Sequence, residues 1–211
     1  MKIFSIINYA FNYVIETSRL LNIDESHSLR HSMEVYHFAN EIYNEESLKI
    51  PYLKDQKDII MCSAILHDMC DKKYMSEKEG IEKINNYLSP YVKKEDLSIM
   101  NQIITTMSYS TVKKNGYPEL DSYTMAYHIV READLLAAYD VERCIIYQMM
   151  HEKTDYINSI LHANHLFEKR VFKYIEDNLF VTDFSNRHAP ILEEQAKIKF
   201  KELNEIYNNL L

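Results

Sequence analysis

The chain has 211 residues, enough to bury a core as one domain, and its two Gly and four Pro are too few for a protein built from tight hairpins. It is rich in Leu, Ile, Met, Glu, Lys and Tyr, a mixture that suits an all-α fold. A formal net charge of −8 argues against a protein that coats nucleic acid, but not against a small anionic ligand bound beside a metal ion. The three cysteines, Cys62, Cys70 and Cys144, form no CxxC pair and are odd in number. They read as reduced, packed thiols of a cytoplasmic protein.

Residues 1–22 read as an amphipathic first helix, with Phe4, Ile7, Phe11, Val14, Ile15 and Leu21 near one face. Asn8, Asn12 and Glu16 interrupt its apolar character, so it does not read as a signal peptide. No run approaches the roughly 18 apolar residues of a membrane span. A turn at 22–26 offers Asp24 and Ser26 as N-cap candidates. A second helix, 28–43, follows, with His27 at its start and His31 in phase with Val35 and Phe38. Residues 44–54, polar and containing Pro51, read as a loop.

The third helix, 55–69, carries the stretch Cys62-Ser-Ala-Ile-Leu-His67-Asp68-Met-Cys-Asp71. Its lead-in is apolar on every side, so it belongs in a core. It ends in a His and two Asp at the boundary between core and cleft. A loop, 70–75, leads to a capping box of Ser76 and Glu79, which opens a short helix closed by Ser89-Pro90. Another helix covers 94–107. Residues 108–118 hold the turn signal Asn115-Gly116 and read as a loop able to close over a ligand. Two helices within 121–151 divide near Asp140. Residues 155–179 and 188–211 read as charged helices, the last with a solvated outer face. No linker or repeat divides the chain. The expectation is one domain, 1–211, with its ligands within 24–145 and the helices of 155–211 packed on that core.

Asp134 interrupts an otherwise apolar face, where a lone carboxylate would be destabilising. Either it pairs with an Arg such as Arg131, or it joins His67 and Asp68 around a cation. His31 alone would be an ordinary core histidine; beside three other candidates it reads as a fourth ligand. Two imidazoles and two carboxylates, without thiolate, suit one divalent ion: Mn, Mg, Fe, Co, Ni or Zn. Four protein ligands leave positions open on an octahedral ion, which is the catalytic pattern. His128, six residues before Asp134, falls on another face, and His162-Ala-Asn-His165 has no carboxylate set around it.

The order His31, His67-Asp68, Asp134 resembles the HD-domain metal-dependent phosphohydrolase superfamily. His27-x-x-x-His31-x-x-x-Val35, Leu66-His-Asp-Met-Cys-Asp71-Lys-Lys73-Tyr, Ala133-Asp134-Leu-Leu-Ala-Ala138 with the trailing Arg143, and Phe167-Glu-Lys169 are similar to the branch of small bacterial nucleotide pyrophosphohydrolases. That resemblance runs from about residue 20 to residue 205. It implies a compact helical HD-domain bundle with the metal site at its centre. It also implies hydrolysis of a small phosphorylated substrate, with nucleotides foremost. By position it makes His31, His67, Asp68 and Asp134 the metal ligands, and Asp71 the residue that orients water or exchanges a proton with it. Asp68 and Asp71 are thus the catalytic carboxylates. The same carry-over gives Lys73, Arg143 and Lys169 to phosphate oxygens and His27 to the substrate. Stable nucleic-acid binding and membrane partners are not expected; self-association is left open. Ser28, Glu34, Leu135, Ala137 and Asp140 depart from the branch's pattern. The departures at Leu135 and Ala137 motivate the alternative of a non-catalytic nucleotide-binding or regulatory module on the same fold.

Overall fold

The computed structural model describes the backbone of residues 5–210 and the side chains of residues 5–205, so Phe4 lies outside the described residues. Ten α-helices and no strand occur among them: α1 (Ile6–Leu21), α2 (Leu29–Lys49), α3 (Lys57–Leu66), α4 (Glu77–Leu88), α5 (Lys94–Thr106), α6 (Tyr109–Asn115), α7 (Thr124–Ala137), α8 (Val141–Met150), α9 (Tyr156–Lys169) and α10 (Asp183–Leu210). None is long and apolar enough to cross a membrane.

Helix α3 is the axis. Every residue from Ile59 to Leu66 is buried, because α1, α2, α5 and α7 surround it. Burying a Leu or Ile side chain is worth roughly 1.5–3 kcal/mol, so this one segment holds four neighbours in place. Helices α2 and α7 also pack on each other, which brings His31 and Asp134 to the end of α3. Helices α8 and α9 form a second pair, and α10 lies against α2, α7, α8 and α9.

Several boundaries differ from expectation. Helix α2 continues through 44–49, where a loop is expected. Lys49 Nζ lies 3.0 Å from Glu46 and 2.8 Å from Asp183, and Glu46 and Ser47 are buried, so the added turn packs despite its polarity. It stops at Ile50, which precedes Pro51 and leaves the helical region at φ −124° and ψ 85°, as the clash with the proline ring favours. Residues 51–56 then form a 3₁₀ turn. The expected loop at 108–118 contains α6. Ser108 Oγ accepts the N–H of Thr111 at 3.2 Å, and Gly116, at φ 77°, ends the helix. Helix α10 begins at Asp183, earlier than expected, and its apolar face is not solvated: Phe184, Ala189, Ala196, Phe200 and Leu203 are buried. Its entry is clamped by the fully buried Glu132, which accepts the N–H groups of Val181 and Thr182 at 2.7 and 3.1 Å.

Two local readings hold at the side-chain level. Ser76 Oγ caps α4 through the N–H of Glu79. Asp140 divides α7 from α8 as the α8 N-cap, accepting the N–H groups of Glu142 and Arg143 at 3.0 and 3.2 Å. Asp24 and Ser26 do not cap α2: Asp24 instead accepts both the N–H and the hydroxyl of Ser26.

Candidate metal centre

After Leu66 the chain tightens. Met69 N–H bonds Leu66 O at 2.9 Å and Asp71 N–H bonds Asp68 O at 3.2 Å, so single turns replace the α-helix. This places His67 and Asp68 together on the floor of a cleft. His67 Nδ1 lies 2.8 Å from the Ala64 carbonyl, which can only accept, so Nδ1 carries the proton and Nε2 presents a lone pair. His31, from the first turn of α2, is 1 % exposed and faces the same point. Asp134 arrives from the last turn of α7.

Four atoms converge there. The two Nε2 atoms of His31 and His67 are 3.1 Å apart. Asp68 Oδ2 lies 3.4 Å from each of them, and Asp134 Oδ1 lies 3.4 Å from His31 and 3.5 Å from His67. Atoms sharing a first-row ion at about 2.0–2.2 Å stand roughly 3.0–3.5 Å from one another in neighbouring positions. His31, His67 and Asp134 offer donors that all lie within 4.8 Å of each other. Asp68 does not join that set, so the carboxylates stand on either side of the imidazole pair.

The donor set fits a divalent cation on its own chemistry. Asp68 Oδ2 and His31 Nδ1 are buried without a hydrogen-bond partner. With the His67 proton on Nδ1, no tautomer of His31 satisfies both of its nitrogens. Burial alone would raise the pKa of Asp68 and Asp134, yet the imidazoles hold both carboxyls well below the usual range. Burial drives His31 down to about 4, with Arg143 adding to the effect. Burial opposes charge on His67 too, but there Asp68 and Asp134 outweigh it and raise its pKa. Without an ion, His67 must take a proton to reconcile the two carboxylates.

The cleft has a volume of about 590 Å³, and His27, Asp71, Lys73 and Arg143 line it. Lys73 Nζ donates to His27 Nε2 at 2.9 Å, lies 3.5 Å from Asp71 Oδ2 and stacks over the Tyr147 ring. Arg143 lies 3.6 Å from Asp68 Oδ2, and its Nε–H donates to the Ser26 carbonyl. Burial lowers His27 to about 4, with Arg143 and Lys73 contributing, which keeps it a neutral acceptor.

Lys169 is the exception. It is exposed at the end of α9 and does not line the cleft; the next residue, Arg170, does. The motif Phe167-Glu-Lys169 puts the apolar Phe167 in the core, and the chain leaves the helix at Arg170, so the cation that turns inward is one position later. Arg131 does not pair with Asp134: its Nη1–H donates to the Leu179 carbonyl. His128 lies apart, with its Nδ1 3.9 Å from Glu132. His162 is exposed at the outer lip of the cleft, and His165 does not line it. Tyr147, Tyr174 and Ser26 also line the cleft but are not among the residues expected at the site; the one available signal is that Tyr147 stands one turn after Arg143 on α8.

A solved structure from Lactobacillus plantarum, a structural-genomics target, is similar over 99 % of this chain and 100 % of that one, with a TM-score of 0.70 and 17 % identity. A likeness at that identity concerns the fold alone. No protein-family model matches the chain, and no curated protein matches it.

Proposed function

We propose that this protein is an HD-type metal-dependent phosphohydrolase of a single domain, acting on a small phosphorylated molecule, with nucleotides as the leading class. The observation that carries the reading is the convergence of His31, His67, Asp68 and Asp134, four N/O donors from distant parts of the chain, beneath a cleft rimmed by Lys73 and Arg143. These four residues would hold one divalent ion, which supplies Lewis acidity toward a phosphoryl oxygen and lowers the pKa of water. Lys73 and Arg143 bind the remaining phosphoryl oxygens and offset charge that grows during the transfer. Asp71, its Oδ1 accepting the Lys73 backbone N–H at 2.9 Å, is fixed at the cleft wall as a proton acceptor. His27, bonded to Lys73, orients that ammonium group.

The non-catalytic alternative draws little support. Leu135 and Ala137 are buried core residues and do not line the cleft, so those two departures remove no group from it.

Elemental analysis of the purified protein should find about one divalent ion per chain. With Mn²⁺, a nucleotide panel should yield phosphate or pyrophosphate, and His67→Ala or Asp68→Ala should reduce the rate at least a thousandfold and remove the ion. Product release that either variant leaves intact would exclude this site from the reaction. Tight nucleotide binding with no product would select the regulatory alternative.

A further inference from the structure

The cleft holds a cation that the proposed chemistry does not use. Arg170 ends α9 and lines the cleft. Its Nε–H donates to Tyr174 Oη at 3.1 Å, and its guanidinium lies over the Tyr109 ring, 4.7 Å from the centroid. Among the described residues it has no carboxylate within ion-pair distance, and neither terminal nitrogen has a protein acceptor. Two neutral rings therefore aim a half-buried guanidinium fork and leave its outer edge free. Such a fork matches phosphate geometry.

Two other cations of the cleft are paired. Lys72 lies 3.4 Å from Glu77, and Lys73 lies 3.5 Å from Asp71. A divalent ion would match Asp68 and Asp134, leaving Arg143 and Arg170 in excess. Lys73, Arg143 and Arg170 all line the same cleft. Their anchors differ. Arg143 is tied to the Ser26 carbonyl on the His27 side, whereas Arg170 is tied to Tyr109 and Tyr174. The two guanidiniums therefore have no anchor in common.

We propose that Arg170 is a third anion-binding group, which selects ligands with a chain of two or three phosphates over those with one. This rests on reading the cleft as a phosphate site, but not on turnover.

The test is calorimetric titration of the metal-loaded protein, dialysed free of excess ion into buffer without chelator, with inorganic tripolyphosphate and with orthophosphate. The wild type should bind tripolyphosphate at least about tenfold more tightly. Arg170→Gln should weaken tripolyphosphate by about tenfold or more and orthophosphate by less than about twofold. Arg170→Met keeps the stem between the two rings and should behave alike, should the Gln variant fold poorly. Equal weakening of both anions, no weakening of either, or no preference in the wild type would overturn the proposal. A protein that keeps the Arg170-dependent preference but hydrolyses nothing would lose only the hydrolase reading. One that hydrolyses nucleotides with its preference unmoved by Arg170→Gln would lose only this one.

Discussion

An ammonium group has no lone pair, so the bond between Lys73 and His27 has one direction: His27 Nε2 accepts. The imidazole proton is then on Nδ1, 2.6 Å from Ser26 Oγ, and the Ser26 hydroxyl in turn donates to Asp24 Oδ1. A chain of four side chains thus sets where the Lys73 charge points. Ser26 is 1 % exposed, and it touches neither the ligand cluster nor the space a phosphate would fill as directly as Lys73 does. Ser26→Ala leaves the His27 Nδ1–H buried and unpaired, which costs roughly 1–3 kcal/mol. The melting temperature should fall by about 2–12 °C for a chain of this size. As a positioning change it should raise KM for the phosphorylated substrate several-fold while the bound metal and kcat change little, and Ser26→Thr should restore KM. A KM unmoved in a folded Ser26→Ala protein would show that the chain does not orient Lys73. Asp24 and Ser26 stand out in the sequence only as helix caps, because a relay through an adjacent histidine has no spacing rule of its own.

The turn that bears Asp68 and Asp71 depends on an element remote from it in mechanism. Helix α4 packs against that turn through Gly80, where an added Cβ would sit 2.5 Å from Cys70 Cβ and 2.7 Å from its Cα. In an exposed helix Gly→Ala gains up to about 1 kcal/mol. Here overpacking costs roughly 1–3 kcal/mol, and because the nearest atoms are the Cys70 Cα and Cβ rather than a flexible side-chain end, the turn itself is displaced. Gly80→Ala should therefore lower both stability and metal affinity, while Gly116→Ala, with no atom within 4 Å, should leave the metal affinity unchanged. Equal metal affinity in Gly80→Ala would show that the turn yields without disturbing Asp68. At this scale the sequence is legible where one strong signal dominates. The all-apolar run before His67, the Ser76 cap and the Asp140 cap each mark a boundary that local chemistry alone determines. It is not legible where tertiary contacts supply the energy: the last turn of α2 packs through the buried Glu46 and Ser47, and α6 is a short polar segment held by a cap and by Tyr109 and Val112 against the core. The site follows the same division. His31, His67, Asp68 and Asp134 were legible because buried polar groups in apolar faces need a partner; Arg170 was not, since a one-residue shift at a helix end follows from packing.

At the scale of the whole molecule, burial opposes protonation of His27, His31 and His128. His128, on the same helix as Asp134 but outside the candidate cluster, is 8 % exposed, with its Nδ1 unpaired, and burial lowers its pKa from 6.5 to about 4, with Arg131 adding to the effect. His27 is lowered to a similar value. Between pH 6.5 and about 4 the unfolded chain binds protons at these positions that the folded one does not, so stability falls as pH decreases through that window. Each fully displaced proton contributes about 1.4 kcal/mol per pH unit. Glu34 works against this: burial raises its pKa from 4.5 to about 7, so the folded state holds its proton where the unfolded chain has lost it. The contribution of a single histidine is separable by mutation. His128→Gln removes one titrating group far from the cleft. Urea melts from pH 7 to pH 4.5 should show a shallower decline for His128→Gln than for the wild type, the two curves converging in shape above pH 7, where the imidazole is neutral in both folded and unfolded chains. Parallel curves across the acid window would mean that His128 is protonated within the fold, and that the polar pocket of Tyr117, Arg131 and Glu132 around it accepts a charge its burial should forbid.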